Sequence, residues 1–151
     1  MRRLLIILIS VCAVIAARAD DVITINSVND LVAVRNAVNQ QSDNDTYAGK
    51  TVKLMTDLDL DDSWVPIGID DNHSFQGTFD GQGYIITINV TKSSLVLGLF
   101  GYVGSSGVVQ NLRVAGRIAN TETEPTTYTG GIAGKNHGTI RQCANLANII
   151  G

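Results

Sequence analysis

A short glycine-bracketed motif recurs through the second half of the chain, and repetition of this kind restricts the fold more than any other feature of the sequence. Gly77-Thr78-Phe79-Asp80, Gly98-Leu99-Phe100-Gly101 and Gly131-Ile132-Ala133-Gly134 read as three versions of one turn-and-strand unit. Each is followed by a second glycine and an apolar strand: Gly83 with Tyr84 to Val90, Gly107 with Val108 to Val114, and Gly138 with Thr139 to Asn145. Successive copies are offset by 21 and 24 residues, then by 33 and 31. Units too short to bury an apolar face alone bury it against their neighbours, and uneven spacing is absorbed by loops pushed out of the stack. The expected fold is all-β, a right-handed parallel β-helix, or solenoid. With 15 glycines and only 5% aromatic residues, the composition suits thin stacked strands better than a globular sandwich. In this register Ile85, Val109 and Ile140 form one inward column and Ile88, Leu112 and Cys143 another, which makes Cys143 a small buried hydrophobe.

Upstream of the repeats the pattern differs. Val22 to Ile25 reads as a strand. Ser27 followed by Asp30 has the spacing of a capping box, and Leu31, Val34, Arg35 and Val38 share one face at helical spacing, so a short N-terminal capping helix is expected over Val28 to Asn39. The polar run Gln40 to Tyr47 reads as a loop. From Thr51, Val52, Leu54, Leu58 and Leu60 alternate with Lys53, Asp57, Asp59 and Asp61, the period of a half-buried strand whose wet side is acidic.

The first residues have a different purpose. Met1-Arg2-Arg3, an apolar run from Leu4 to Ala17 and the small residues of Ala17-Arg18-Ala19 have the parts of a secretory signal peptide, with cleavage expected after Ala19. The apolar run falls short of the roughly 20 residues of a membrane span. The expected organisation is a signal peptide at 1–19, an N-terminal strand and capping helix at 20–50, and β-solenoid repeats at 51–151, incomplete at the C-terminus. Loss of Arg2, Arg3 and Arg18 leaves 8 basic residues against 14 acidic ones, a balance of −6 that argues against nucleic acid as a partner. It also leaves Cys143 as the sole cysteine.

Trp64-Val65-Pro66-Ile67-Gly68, Phe75 to Gly83, Gly98-Leu99-Phe100-Gly101 and Gly130 to Ile140 together resemble proteins with GLUG repeats, and Tyr47-Ala48-Gly49-Lys50 and Asp57-Leu58-Asp59-Leu60 resemble the way such regions begin. The resemblance runs over nearly all of residues 22 to 151. It implies a parallel β-helix and a secreted or cell-surface setting, in adhesin-like chains or non-catalytic regions of surface peptidases, and it brings no catalytic residues.

Other constellations give little chemistry. Asp57, Asp59 and Asp61 begin like a calcium loop, but Asp62 stands where the motif needs glycine and Gly68 where it needs glutamate. Asp70, Asp71 and Asp80 invite comparison with paired acids of polysaccharide-cleaving enzymes, although each also suits a turn. His73 and His137 belong to no zinc motif. Trp64, Tyr47, Tyr84, Tyr102 and Tyr128 offer either a sugar-stacking platform or cover for the coil. Sequons occur at Asn44, Asn72 and Asn89. No catalytic residue, cofactor or metal site is assigned. The best candidate contact site is the insertion Arg117 to Thr129, with Glu122, Glu124 and Tyr128, because solenoids display such insertions on a binding face. The expected function is a non-enzymatic surface or secreted module that is adhesin-like or binds carbohydrate. The rival is the non-catalytic N-terminal part of a larger secreted enzyme. Extracellular carbohydrate or a host or cell-surface protein is the expected partner, together with self-association through an uncapped last rung at Ile149-Ile150-Gly151.

Overall fold

A computed structural model describes residues 21–40, 42 and 44–151; the expected signal peptide lies outside them. The chain begins with β1 (Val22–Ile25) and α1 (Val28–Asn39). Ser27 caps the helix in extended backbone, its hydroxyl accepting from the Asp30 N–H at 3.3 Å, while the Asp30 carboxylate accepts from the Asn26 N–H at 2.9 Å. Leu31, Val34 and Val38 form the buried stripe, and Arg35 beside them lies 5.4 Å from the Trp64 ring centre.

The remaining strands wind into about four turns. The first turn holds β2 (Thr51–Leu54) and β3 (Leu58–Leu60). The second holds β4 (Thr78–Asp80), β5 (Ile85–Lys92), β6 (Val96–Leu97) and β7 (Phe100–Val103). The third holds β8 (Val108–Gln110), β9 (Arg113–Asn120), β10 (Tyr128–Thr129) and β11 (Ala133–Asn136). The last holds β12 (Thr139–Arg141), β13 (Ala144–Asn145) and β14 (Asn148–Ile150). All recorded pairings are parallel and join one turn to the next. They make one five-stranded sheet, β1-β2-β4-β8-β12, a second of β3, β5 and β9 ending on β13 and β14, and two-stranded sheets β7-β11 and β6-β10. The fold is thus a parallel β-solenoid with one short helix.

The register corrects the sequence alignment of the repeats. Ile23, Val52, Phe79, Val109 and Ile140 form one column, and Ile85 falls beside Arg113 instead. Ile88 pairs with Gly116, not with Leu112. The error began with equating Gly77 and Gly98, which occupy different corners. The glycines in true register are Gly77, Gly107 and Gly138, where the strand N–H groups of Thr78, Val108 and Thr139 bond back to Lys50, Gly77 and Gly107. A Cβ on Gly107 would stand 2.5 Å from the Phe75 carbonyl oxygen, and one on Gly138 2.2 Å from that of Gly107, so side chains are excluded where turns stack at this corner.

A second correction concerns strand ends. The alternating run from Thr51 is two strands in two sheets, although Val52, Leu54, Leu58 and Leu60 are all buried as the period requires. The runs after Gly107 and Gly138 likewise each bend into two strands, at Asn111 and Gln142, which have φ of 54° and 53°. Gln82 with φ of 49° holds the same corner one turn earlier, so three amide residues in left-handed backbone stack there.

All three phenylalanines meet inside the coil: Phe75 and Phe100 at 5.3 Å between ring centres, Phe79 and Phe100 edge-on at 5.4 Å, with Tyr47 stacked on Phe75 at 6.2 Å. Each such contact is worth roughly 0.5–1.5 kcal/mol beyond the area it buries.

Candidate functional site

The expected insertion is smaller than the sequence implied. Arg117 to Asn120 complete β9 and Tyr128–Thr129 form β10, leaving 121–127 as the loop. Its base is locked by Asn120, a buried side chain that sequence reading missed. The Asn120 amide donates to the Ser94 carbonyl (2.7 Å) and the Thr129 hydroxyl (2.9 Å), and its oxygen accepts from the N–H groups of Ser94 (3.2 Å) and Glu122 (3.0 Å). Every hydrogen-bonding position of the amide is filled.

Within the loop, the Glu122 carboxylate accepts from the Ser93 hydroxyl and from the N–H of Thr123 at 2.9 Å. These bonds, that of Ser93 foremost, hold its pKa below the usual glutamate range. Glu122 therefore shapes the loop. Glu124 is exposed.

Tyr128 has other company. The residue is 42% exposed, and Lys135 Nζ lies 5.9 Å from its ring centre and 5.1 Å from that of Tyr102, the neighbour of Lys135 in the ladder. The same ammonium is 3.5 Å from Asp71 Oδ2, and His137 Nε2 is 3.9 Å from Asp71 Oδ1. Three successive turns thus bring two tyrosine rings, an ammonium, a carboxylate and an imidazole to one surface. The carboxylate and imidazole are 70% and 50% exposed. Sequence spacing gave no sign of this grouping, since Asp71 and Lys135 become neighbours only through the lengths of two intervening turns.

A second feature is a groove of about 640 Å³ along the corner between the two large sheets, lined by Asp80, Gln82, Asn111, Arg113 and Gln142 among others. Its polar groups mostly bond one another. Asp80 accepts from Asn111 Nδ2 (3.0 Å), Gln110 Nε2 (3.2 Å) and the Gln82 N–H (3.0 Å), Arg113 donates to the Gly83 carbonyl (2.7 Å), and Arg141 Nε donates to Gln110 Oε1 (2.9 Å). These bonds tie turn to turn. Cys143 on the groove wall is half-buried, more open than expected, and desolvation pushes its thiol pKa up.

The other candidates also have local structural partners. Asp70 accepts from the backbone and Nδ1 of His73, both at 2.9 Å. Asp57 accepts from the Ile85 N–H at 2.8 Å and Asp61 from the Ser63 N–H at 3.0 Å. Trp64 is buried, its Nε1 donating to the Gly98 carbonyl at 3.2 Å, and Tyr47 is buried too, so neither is a platform for a ligand.

Two proteins resemble this chain in sequence. One, from Evansella cellulosilytica and named as a Gly-rich membrane protein, is 36% identical over 102 aligned positions, covering 61% of this chain and 12% of that protein. The other, halomucin of Haloquadratum walsbyi, is 26% identical over 141 positions, covering 84% of this chain and 1% of halomucin. This chain therefore spans a small fraction of either relative. No family model matches the chain, and no solved structure does. Among the described residues, no helix is long and apolar enough to cross a membrane.

Proposed function

We propose that this chain is a non-enzymatic module of an exported protein, secreted or held at the cell surface, with an adhesin-like role and a carbohydrate-contacting face at Tyr128. The fold reading within this proposal is a right-handed β-helix of the GLUG-repeat kind, since parallel crossovers take that hand, with α1 as its cap. The observation that carries the binding reading is the grouping of Tyr102, Tyr128, Lys135, Asp71 and His137. An exposed aromatic ring offers its face to the C–H side of a pyranose, and an adjacent ammonium, carboxylate and imidazole suit the sugar's hydroxyls. The names of the two relatives, a membrane protein and a halomucin, support a surface setting. The small share of each relative that this chain spans supports a piece of a larger protein, which is common to this reading and to its rival, a non-catalytic part of a larger secreted enzyme.

Electrophoresis through gels containing soluble glucan, galactomannan or pectin tests the binding reading. The chain should be retarded in at least one, Tyr128→Ala should weaken that retardation roughly tenfold, the scale of a lost aromatic contact, and Tyr128→Phe should retain it. Free migration in all three gels, or indifference to Tyr128→Ala, would remove carbohydrate contact at this face.

A further inference from the structure

The corners between the two large sheets differ in length. Between the register pairs that join Asp80 to Gln110 and Ile85 to Arg113, the second turn has the residues Gly81 to Tyr84, whereas the third has only Asn111 and Leu112 and the fourth only Gln142 and Cys143. The longer corner projects as a ledge. Gln82 and Gly83 are both left-handed, with φ of 49° and 81°, and the Tyr84 N–H donates to the Gly81 carbonyl at 2.8 Å, the form of a type I′ turn. The third turn braces it: Arg113 Nε and Nη2 donate to the Gly83 carbonyl at 3.0 and 2.7 Å, and the Asn111 carbonyl accepts from the Gly83 N–H at 2.7 Å. The groove of about 640 Å³ lies against this ledge and the two shorter corners. Asp80, which lines it, alternates with the inward column of Phe79, Val109 and Ile140, so the groove runs along the side of the coil and not over an end.

We propose that this groove holds a short stretch of a neutral glycan, at a site separate from the Tyr128 face. Its volume is that of an ordinary small-ligand site, and the bonds that fix the ledge form it before any ligand arrives. The charge on its lining is balanced. It has one carboxylate, Asp80, and one guanidinium, Arg113, each engaged within the protein, so neither a uronate nor an amine finds a free counter-charge. The backbone is engaged too: the N–H groups of Gly81, Asn111, Arg113 and Ala144 donate to the carbonyls of Gln110, Arg141, Tyr84 and Leu112, so an extended peptide has no strand edge to join here. What remains are side-chain amides from three successive turns. Gln82 Nε2 donates to the Leu54 carbonyl at 3.1 Å and Asn111 Nδ2 to Asp80 at 3.0 Å, while among the described residues the oxygens of both amides and the whole Gln142 amide have no hydrogen-bond partner. Amide groups rising by one turn at a time, about 4.8 Å each, suit a row of hydroxyls, which both donate and accept. Cys143 and Ala144 beside them add an apolar wall for the C–H side of a sugar ring.

Titration of the isotope-labelled full chain with cellotriose, maltotriose, mannotriose and trigalacturonate, followed by amide chemical shifts, reads the groove and the Tyr128 face separately. At least one neutral trisaccharide should shift the side-chain amide signals of Gln82, Asn111 and Gln142 saturably, and trigalacturonate should bind there more weakly. Gln82→Gly and Gln142→Gly each remove an amide where the left-handed backbone accepts glycine, and each should weaken that binding roughly fivefold, the scale of one lost hydrogen bond. Tyr128→Ala should leave it unchanged. Saturable shifts confined to Tyr128 and its neighbours would overturn the groove site while leaving the reading of that face intact. No saturable shift at the groove with any of the four sugars, or indifference to both glycine variants, would overturn it as well. Tighter binding of trigalacturonate, or of tetra-alanine added as a peptide probe, would overturn the neutral glycan as its occupant.

Discussion

The inner turns and the last turn of the coil place the same kinds of side chain in the same columns, yet protect them differently. Phe79 and Val109 are wholly buried, but Ile140, next in their column, is partly exposed. In a solenoid, a side chain is covered half by its own turn and half by the next, so burial belongs to the stack more than to the residue. The difference predicts where substitution is severe and where it is mild.

The largest effect is expected at Phe79, which sits between Val52 and Val109 in its column and packs edge-on to Phe100. Phe79→Ala should cost about 3–5 kcal/mol, a large part of the 5–15 kcal/mol total of an ordinary domain. Urea unfolding followed by far-ultraviolet dichroism measures it. A loss under about 1 kcal/mol would mean that the aromatic cluster relaxes to fill the space.

A sharper test sets Val109→Ala against Ile140→Ala. On chemistry alone the isoleucine change should cost more, because it deletes the larger side chain. Position reverses the order: about 2 kcal/mol is expected at Val109 and about 1 kcal/mol at Ile140, where part of the side chain is already in water. Equal costs at both sites would show that the last turn is as well covered as the inner ones.

What could be read from the sequence followed the range of the interactions involved. β1 and α1 were legible to the residue, because Ser27, Asp30 and the stripe Leu31, Val34 and Val38 act within one or two helical turns. Parallel stacking was legible from recurring glycines. Which glycine stacks on which was not, because Gly77 and Gly98 head similar motifs and only the closed coil separates their corners. The left-handed residues Gln82, Asn111 and Gln142 left a faint signal: asparagine enters that region more readily than most residues, but glutamine has no such preference. Tyr128 was singled out as part of the insertion Arg117 to Thr129, whereas Tyr102 and Asp71, which share Lys135 with it, arrive from other turns. Asn120 read as part of that insertion because three of its four bonds depend on where Ser94 and Thr129 come to lie.

The smallest expected effect separates the turns by charge. Asp80 of the second turn stands between Lys53 and Gln110 in an outward column that ends on Arg141. Burial opposes its ionisation, but hydrogen bonds from Asn111, the Gln82 N–H and Gln110, with Lys53 nearby, outweigh that and hold its carboxyl below the usual range. A carboxyl depressed in the folded state contributes stability that is fully present above its ordinary value of about 3.9 and is lost as pH falls through the depressed value. Asp45, shifted the same way against its own burial by Lys50 and the Tyr47 N–H, adds to the effect in the same window. Stability should therefore be level in this respect from neutral pH to about pH 4 and decline below it. Asp80→Asn should cost less than about 1 kcal/mol at neutral pH, because the group is partly in water, and should flatten the acid decline. The fourth turn has no Asp or Glu, in this column or elsewhere, so amide exchange in β14 should respond to acid through the stack beneath it and not through a side-chain titration of its own. Unfolding curves that fall in parallel for the two proteins between about pH 7 and pH 3 would show that the bonds to Asp80 are formed at no gain over water.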